Sequence, residues 1–253
     1  MKGAQKSAIT DVGYNTKALE SGNNAAGLGF VKVSAKVGEE GGNLLAITPV
    51  GVPAKSAGQL NIQTLDKYGK MVKRYGFYQG QTRGNFTTDG WYDTTDSVTK
   101  GTLITPENDV TFQAGQGLWI AAPDGVSFQN SGAVLFDDVT CNLNAGNTLL
   151  CNPFPTEVML TKITPIGVPD KSAGQLNIQT LNKYGKMVKR YGFYQGQTRG
   201  NFTTDGWYDT TESVTKGTLI TTENDIAFPA GQGLWVAAPS EDCSLKFSWN
   251  ESK

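Results

Sequence analysis

The segment Phe86-Thr87-Thr88-Asp89-Gly90-Trp91-Tyr92-Asp93-Thr94-Thr95-Asp96 gathers three carboxylates and three aromatic rings, two of them adjacent as Trp91-Tyr92, and a near copy of it stands at Phe202–Glu212. Three chemistries use such a set. Paired carboxylates hydrolyse glycosides. Clustered Asp side chains hold calcium. A Trp-Tyr pair beside an Asp-Gly turn stacks on the apolar faces of sugar rings while Asp, Asn and Gln exchange hydrogen bonds with the hydroxyls. The carboxylates lie in a Gly/Thr-rich loop, where solvated turn residues are the ordinary outcome, and their spacing is not that of an EF-hand. The stacking reading selects Asp89, Trp91, Tyr92 and Asp93, with Asp205, Trp207, Tyr208 and Asp209, as ligand-binding residues whose rings are partly exposed. The competing reading makes each Trp a cover over the end of a β-core. Trp119 and Trp235, inside apolar runs, read as core residues.

The chain has no histidine. That removes Ser-His-Asp and Cys-His nucleophilic catalysis, His-based zinc sites and the usual general base near neutral pH. No constellation meets the geometric roles that catalysis requires, so a non-enzymatic protein without cofactor or metal is expected. The Gly-x-Gly of Ala114-Gly115-Gln116-Gly117 is followed by no helix and reads as a turn rather than a phosphate cradle.

A second pattern interleaves Tyr68, Tyr75, Phe77 and Tyr78 with Lys67, Lys70, Lys73, Arg74 and Arg83, and recurs around Tyr184, Tyr191, Phe193 and Tyr194. Aromatic platforms in basic grooves bind single-stranded nucleic acid. Strand alternation would bury half of these rings, however, and the formal net charge is −1, so no nucleic-acid partner is expected. No apolar run approaches the roughly 18 residues of a membrane-spanning helix, so no membrane span is expected either.

The elements that must position these groups are themselves repeated. Ile47–Pro123 recurs as Ile163–Pro239, 116 residues on, and only nine of 77 aligned positions differ. Several of the swaps, such as Val50/Ile166, Val110/Ile226 and Ile120/Val236, preserve volume and hydrophobicity as a packed core tolerates. Copies this alike make identity between them uninformative about function. Upstream, Leu19–Asn23 matches Leu143–Asn147 and Phe30 matches Phe154 at an offset of 124, which leaves about eight extra residues around positions 37–42 of the first copy. Each unit is long enough for its own core and too long for a solenoid repeat. The expectation is two tandem homologous domains, residues 8–131 and 132–253, meeting near Ser131-Gly132 with no Pro/Ser-rich linker to hold them apart.

Two-residue alternation makes Leu60–Leu65 and Lys70–Tyr78 a predicted hairpin around the turn Asp66-Lys67-Tyr68-Gly69. Asp109–Phe112 and Gly117–Ala121 read as a second pair, joined by Gln113-Ala114-Gly115-Gln116. The 31 glycines, the many Thr, Asn and Gln residues and the lack of an amphipathic helix complete an all-β prediction, a sandwich or barrel-like domain in each copy. All three cysteines fall in the second copy. Cys141 and Cys151 are equidistant from Gly146, so a hairpin centred there predicts them on adjacent strands, bridged if the Cβ separation allows. Their first-copy counterparts are Lys17 and Gly27, and Cys243 is left over. Free buried thiols are the alternative.

The opening MKGAQKSAITDVGY lacks the apolar core of a signal peptide, so the protein is either cytosolic or a mature form whose leader has been removed. Low charge with abundant Thr, Asn and Gly favours the second, a secreted or cell-surface protein. The motifs VGYNTKALESGN, NLLAITP or LLCNPFP, and DGWYD followed by AGQGLWVAAP resemble those of uncharacterised exported bacterial β-rich repeat proteins. The resemblance implies an extracytoplasmic β-domain and transfers no active site. The first copy departs from it, with Leu28-Gly29-Phe30 where the second has Asn152-Pro153-Phe154.

Three function classes remain. The first is a bivalent binding module for an extracellular glycan or protein surface, since duplicating a weak site raises avidity without new contacts. The second is a self-assembling subunit of a surface layer or filament, because tandem β-domains with edge strands can join head to tail. An enzyme comes third.

Overall fold

The computed structural model describes residues 12–28, 41–80, 84–196 and 201–249; Phe30, Arg83 and positions 37–40, which figure in the sequence reading, lie outside these. Runs rich in β-branched and aromatic residues, bounded by Gly, leave no helical face. The only helical pieces among the described residues are 3-10 turns at Leu44–Ala46 and Leu160–Lys162. In the first half the strands are β1 (Val12–Ala18), β2 (Gly22–Ala26), β3 (Gly41–Asn43), β4 (Ile47–Val50), β5 (Ser56–Leu65), β6 (Met71–Gln79), β7 (Gly90–Asp93), β8 (Thr102–Leu103), β9 (Thr111–Gln113), β10 (Leu118–Ala122) and β11 (Ser127–Ala133). The second half adds β12 (Val139–Asn142), β13 (Gly146–Cys151), β14 (Val158–Met159), β15 (Ile163–Ile166), β16 (Ala173–Leu181), β17 (Met187–Tyr194), β18 (Gly206–Asp209), β19 (Thr218–Leu219), β20 (Ala227–Phe228), β21 (Gly233–Ala238) and β22 (Ser244–Phe247).

These strands form a six-stranded sheet ordered β2-β10-β5-β6-β7-β8 and a three-stranded sheet ordered β1-β11-β4. The second half has the orders β13-β21-β16-β17-β18-β19 and β12-β22-β15, and two-stranded ladders β3-β9 and β14-β20 complete the set. The protein is all-β, and none of its sheets closes, so of the two expected forms the closed barrel is not formed among the described residues. Ile47 of β4 and Phe128 of β11 meet Leu60, Ile62, Tyr75, Leu118 and Ile120 of the six-stranded sheet in one buried core. Ile163, Leu245 and Phe247 meet Leu176, Ile178, Tyr191, Leu234 and Val236 in another. Each of these side chains contributes about 1.5–3 kcal/mol by leaving water.

The predicted hairpin forms. Ile62 pairs with Tyr75 and Leu65 with Met71 across β5 and β6. Asp66 Oδ1 accepts the amides of Tyr68 and Lys70, both at 2.9 Å, and Gly69 adopts φ +74°, a conformation other residues resist. Asn182 replaces Asp66 in the second copy and accepts the same two amides, from Tyr184 and Lys186.

The second predicted pairing does not form. The turn at Gln113–Gln116 is present, with the Gln116 amide donating to the Gln113 carbonyl at 2.9 Å, but β9 pairs with β3 while β10 lies between β2 and β5. The backbone groups that would have extended a ladder go elsewhere. The Gly115 carbonyl accepts the Cys151 amide at 2.8 Å, and the Gly117 amide donates to the Leu149 carbonyl at 3.0 Å.

The cysteine hairpin is likewise corrected. Cys141 of β12 pairs with Leu245 and Cys151 of β13 with Gly233, so the two residues stand in different sheets. The bend before Gly146 carries the chain from one sheet to the other instead of folding it back on itself. All three thiols are free and buried. Burial pushes the thiols of Cys141 and Cys151 up to about 12. Since the thiolate is the reactive form, a water-soluble disulfide reagent is expected to leave both unmodified in the native protein at neutral pH and to label all three cysteines after denaturation. Rapid native labelling of Cys141 or Cys151 would contradict this packing.

Candidate functional site

The residues singled out in the two DGWYD segments come together, but as part of the interior. Neighbours on a strand face opposite ways, and here both faces of β7 are covered. Trp91, only 3% exposed, turns into the main core, where its Nε1 donates to the Ile47 carbonyl at 3.2 Å and its ring meets Phe77 edge-on at 5.3 Å. Tyr92 turns the other way, edge-on to both members of a stacked Tyr78–Phe86 pair, and its hydroxyl donates to the Thr88 carbonyl at 2.8 Å. Trp207 donates to Ile163 and Tyr208 to Thr204 in the same way. The expected partial exposure of these four rings is therefore corrected.

Their carboxylates are also engaged. Asp89 and Asp205 accept the amides of Gly80 and Gly196 at 2.7 Å. Asp93 accepts the Thr95 amide at 2.9 Å and lies 3.5 Å from Lys73; Asp209 has Thr211 and Lys189 in those places. Burial opposes ionisation of Asp93 and Asp209, but the hydrogen bonds from Thr95 or Thr211 and the nearby ammonium outweigh it and hold both carboxyls below the usual value. The basic hairpin is structural in part: Arg74 donates to Thr94 Oγ1 at 2.7 Å and to the Gly58 carbonyl at 2.9 Å.

A different pair of tryptophans borders open space. Leu118, Ile120 and Ala122 of β10 point into the core, so Trp119 and Ala121 point out of it. Trp119 and Trp235, expected in the core, are half-buried and line a cleft of about 400 Å³ together with Gln63, Leu65, Gly69, Met71, Gln179, Leu181, Gly185 and Met187. Every lining residue of one copy has its equivalent in the other, 116 positions away. The relation is reciprocal, as in a two-fold symmetric interface. Trp235 Cη2 lies 3.1 Å from where a Cβ on Gly69 would stand, and Trp119 Cη2 lies 3.3 Å from the matching point on Gly185. Glycine at each hairpin turn thus lets the indole of the other half approach. The Gln63 amide donates to Asn61 Oδ1 at 2.7 Å and the Gln179 amide to Asn177 Oδ1 at 2.8 Å, which fixes both side chains at the cleft. The strand period could have revealed this site, because Trp119 cannot share a face with Leu118 and Ile120.

What brings the two halves together is backbone. The Gly27 amide donates to the Gly231 carbonyl at 2.9 Å, and the Cys151 amide to the Gly115 carbonyl at 2.8 Å. Isolated antiparallel bridges join Ala26 to Gln232 and Gln116 to Leu150. A Cβ on Gly117 would stand 2.5 Å from the Leu150 carbonyl oxygen, and one on Gly233 would collide with the Ala25 backbone. A larger cleft of about 530 Å³ opens beside Cys141, Asp137, Asp138 and Gln116. Its thiol is held protonated by burial, and nothing like the paired indoles and anchored amides converges there.

No known protein family matches the chain, and neither a curated protein nor a solved structure matches it.

Two outcomes follow from this geometry. Gly117→Ala and Gly233→Ala are each expected to cost about 1–3 kcal/mol by overpacking, read as a lower urea midpoint; unchanged midpoints for both would contradict the close approach. The second concerns pH. Folding favours the ionised forms of Asp93 and Asp209, so their contribution is complete above the unfolded value and is lost as the pH falls through the lower folded value. Asp93→Asn with Asp209→Asn keeps the acceptor for Thr95 or Thr211 and removes the charge. The double variant is expected to be less stable than the parent at neutral pH, by at most about 1 kcal/mol per pair, and the gap is expected to close below about pH 4. A gap unchanged down to pH 2 would refute that origin.

Proposed function

We propose that this chain is a non-catalytic binding protein of two tandem β-domains, working outside the cytoplasm, whose ligand site is shared by both domains. The observation that carries this reading is the cleft in which Trp119, Gln63 and Met71 of one repeat face Trp235, Gln179 and Met187 of the other. Its volume lies within the range of small-molecule sites, about 300–1,000 Å³. The separate hydrophobic cores and the repeated sheet orders support the division into two domains. The pairing of β11 with β1 as far as Ala133 supports counting Gly132 and Ala133 with the first domain. Buried thiols with raised pKa values and carboxylates tied to Lys and Thr partners support a binding rather than a catalytic role.

In this reading Trp91, Tyr92, Trp207 and Tyr208 hold the sheets together, and the contact with an extracellular glycan or protein surface passes to the cleft. The duplication then yields one composite site in place of two independent ones. The alternative, a self-assembling surface subunit, has less support. At one edge of each six-stranded sheet, β8 and β19 are two residues long and offer little backbone for another chain to pair with, and at the opposite edges the ends of β2 and β13 are engaged in the bridges Ala26–Gln232 and Gln116–Leu150.

The test is retention of the purified protein on immobilised polysaccharides and extracellular matrix proteins, with sedimentation across a range of concentrations. Trp119→Ala with Trp235→Ala is expected to abolish retention while the protein stays folded. Trp91→Ala is expected to cost about 3–5 kcal/mol of stability, as for other buried aromatics. Retention that survives the double variant, or growth into large oligomers as concentration rises, would displace the cleft reading in favour of assembly.

A further inference from the structure

The cleft between the two halves also indicates what it takes. Its lining has no charged side chain among the described residues. An ionic ligand entering it would lose hydration without gaining a counter-charge, which is costly. The walls carry two indoles, one from each half, each half-buried and backed by the glycine turn of the opposite hairpin. Aromatic rings of this kind offer flat apolar surface to a ring with a C–H face. Beside each indole stands one amide side chain, Gln63 or Gln179, which both donates and accepts hydrogen bonds. Each is already held by a buried asparagine, Asn61 or Asn177, so little side-chain freedom remains to be lost on binding. Among the described residues the Oε1 atoms of Gln63 and Gln179 accept no hydrogen bond from the protein, and they are open to hydroxyl donors.

Resting on the shared-cleft reading above, we propose that this site binds a two-ring segment of a neutral saccharide, one pyranose ring against Trp119 and the other against Trp235, with ring hydroxyls bonded to Gln63 and Gln179. A saccharide suits the site better than a neutral aromatic molecule, because flat aromatic rings would cover the Oε1 atoms of the two anchored amides without offering them a donor, and an unpaired buried polar group is costly. The reciprocal arrangement of the lining favours a disaccharide whose two rings are themselves related by a two-fold axis. A 1,1-linked disaccharide of two identical hexoses with the same anomeric configuration has that symmetry, whereas a 1,4-linked one is directional.

The experiment is calorimetric titration of the full chain, with tryptophan fluorescence in parallel. The probes are α,α-trehalose, maltose, cellobiose, glucose, a uronic-acid-containing disaccharide and a naphthalene carboxamide. A neutral disaccharide is expected to bind at least about tenfold more tightly than glucose, since one stacked ring is worth that much or more. Trehalose is expected to lead the series. The acidic disaccharide is expected to show no measurable heat. Trp119→Phe is expected to weaken disaccharide binding at least about tenfold without lowering the urea midpoint. Gln63→Leu with Gln179→Leu is expected to weaken it at least about tenfold as well, with a lower urea midpoint because the Oδ1 atoms of Asn61 and Asn177 lose their donors. Tighter binding of the carboxamide or the acidic sugar, lost in the Trp119→Phe variant, would overturn the saccharide assignment and leave the shared site standing. Absence of heat with every probe would overturn the saccharide assignment as well, and retention by an immobilised surface in the preceding assay would then decide the binding reading separately. Binding left intact by the Trp119 and Gln variants would place the sugar elsewhere and overturn both.

Discussion

At Gly117 and Gly233 the backbone of one repeat lies so close to the backbone of the other that no side chain fits between them. The relation of the two halves follows from that approach. It lets Gly27 and Cys151 donate their amides across the junction, to Gly231 and Gly115, and it brings each hairpin turn over the indole of the opposite half. Because main-chain groups carry the bonds, the junction depends less on which side chains surround it than on the space left for the chain. Linking the halves covalently makes their association intramolecular and removes the dependence on concentration that two separate chains would have.

The same closeness explains why the copies differ where they do. Gly27 and Cys151 are equivalent positions that face one another, and the sulfur of Cys151 occupies the place a Cβ on Gly27 would need. Only one of the two can carry a side chain. Lys17 and Cys141 form another unequal pair. Lys17 reaches the Gly231 carbonyl at 2.8 Å, and burial holds its ammonium below the ordinary value while the neighbouring Cys151 works the other way. The shorter Cys141 rests against Ala114 and borders the larger cleft instead. Two repeats with a side chain at both positions could not have packed this way, so at least one copy must keep glycine there.

The DGWYD segment shows how composition can suggest a binding loop and packing can use it otherwise. Its Trp caps the core through a bond to the Ile47 carbonyl, its Tyr completes a three-ring cluster on the opposite face, and its aspartates satisfy loop amides. A buried indole needs a partner for its N–H, and the end of β4 supplies one. These residues rank among the most informative in the sequence, and what they inform about is how the sheet is closed over on both sides.

By itself the sequence determined the all-β class, the turn of the β5–β6 hairpin and the existence of two near-identical repeats, because strand alternation, Asp-x-x-Gly turns and a repeated register act over short separations; β5 begins at Ser56, four residues before the alternation becomes legible. It also contained the orientation of Trp119, since Leu118 and Ile120 on either side of it claim the core face. Only the tertiary structure decided that β9 and β10 part company, that Cys141 and Cys151 lie in different sheets, and that Trp91 and Tyr92 are both covered. Each of those outcomes turns on which distant strand takes up a free row of backbone N–H and C=O groups. That choice is made by contacts between residues far apart in the chain, and local spacing carries no record of it.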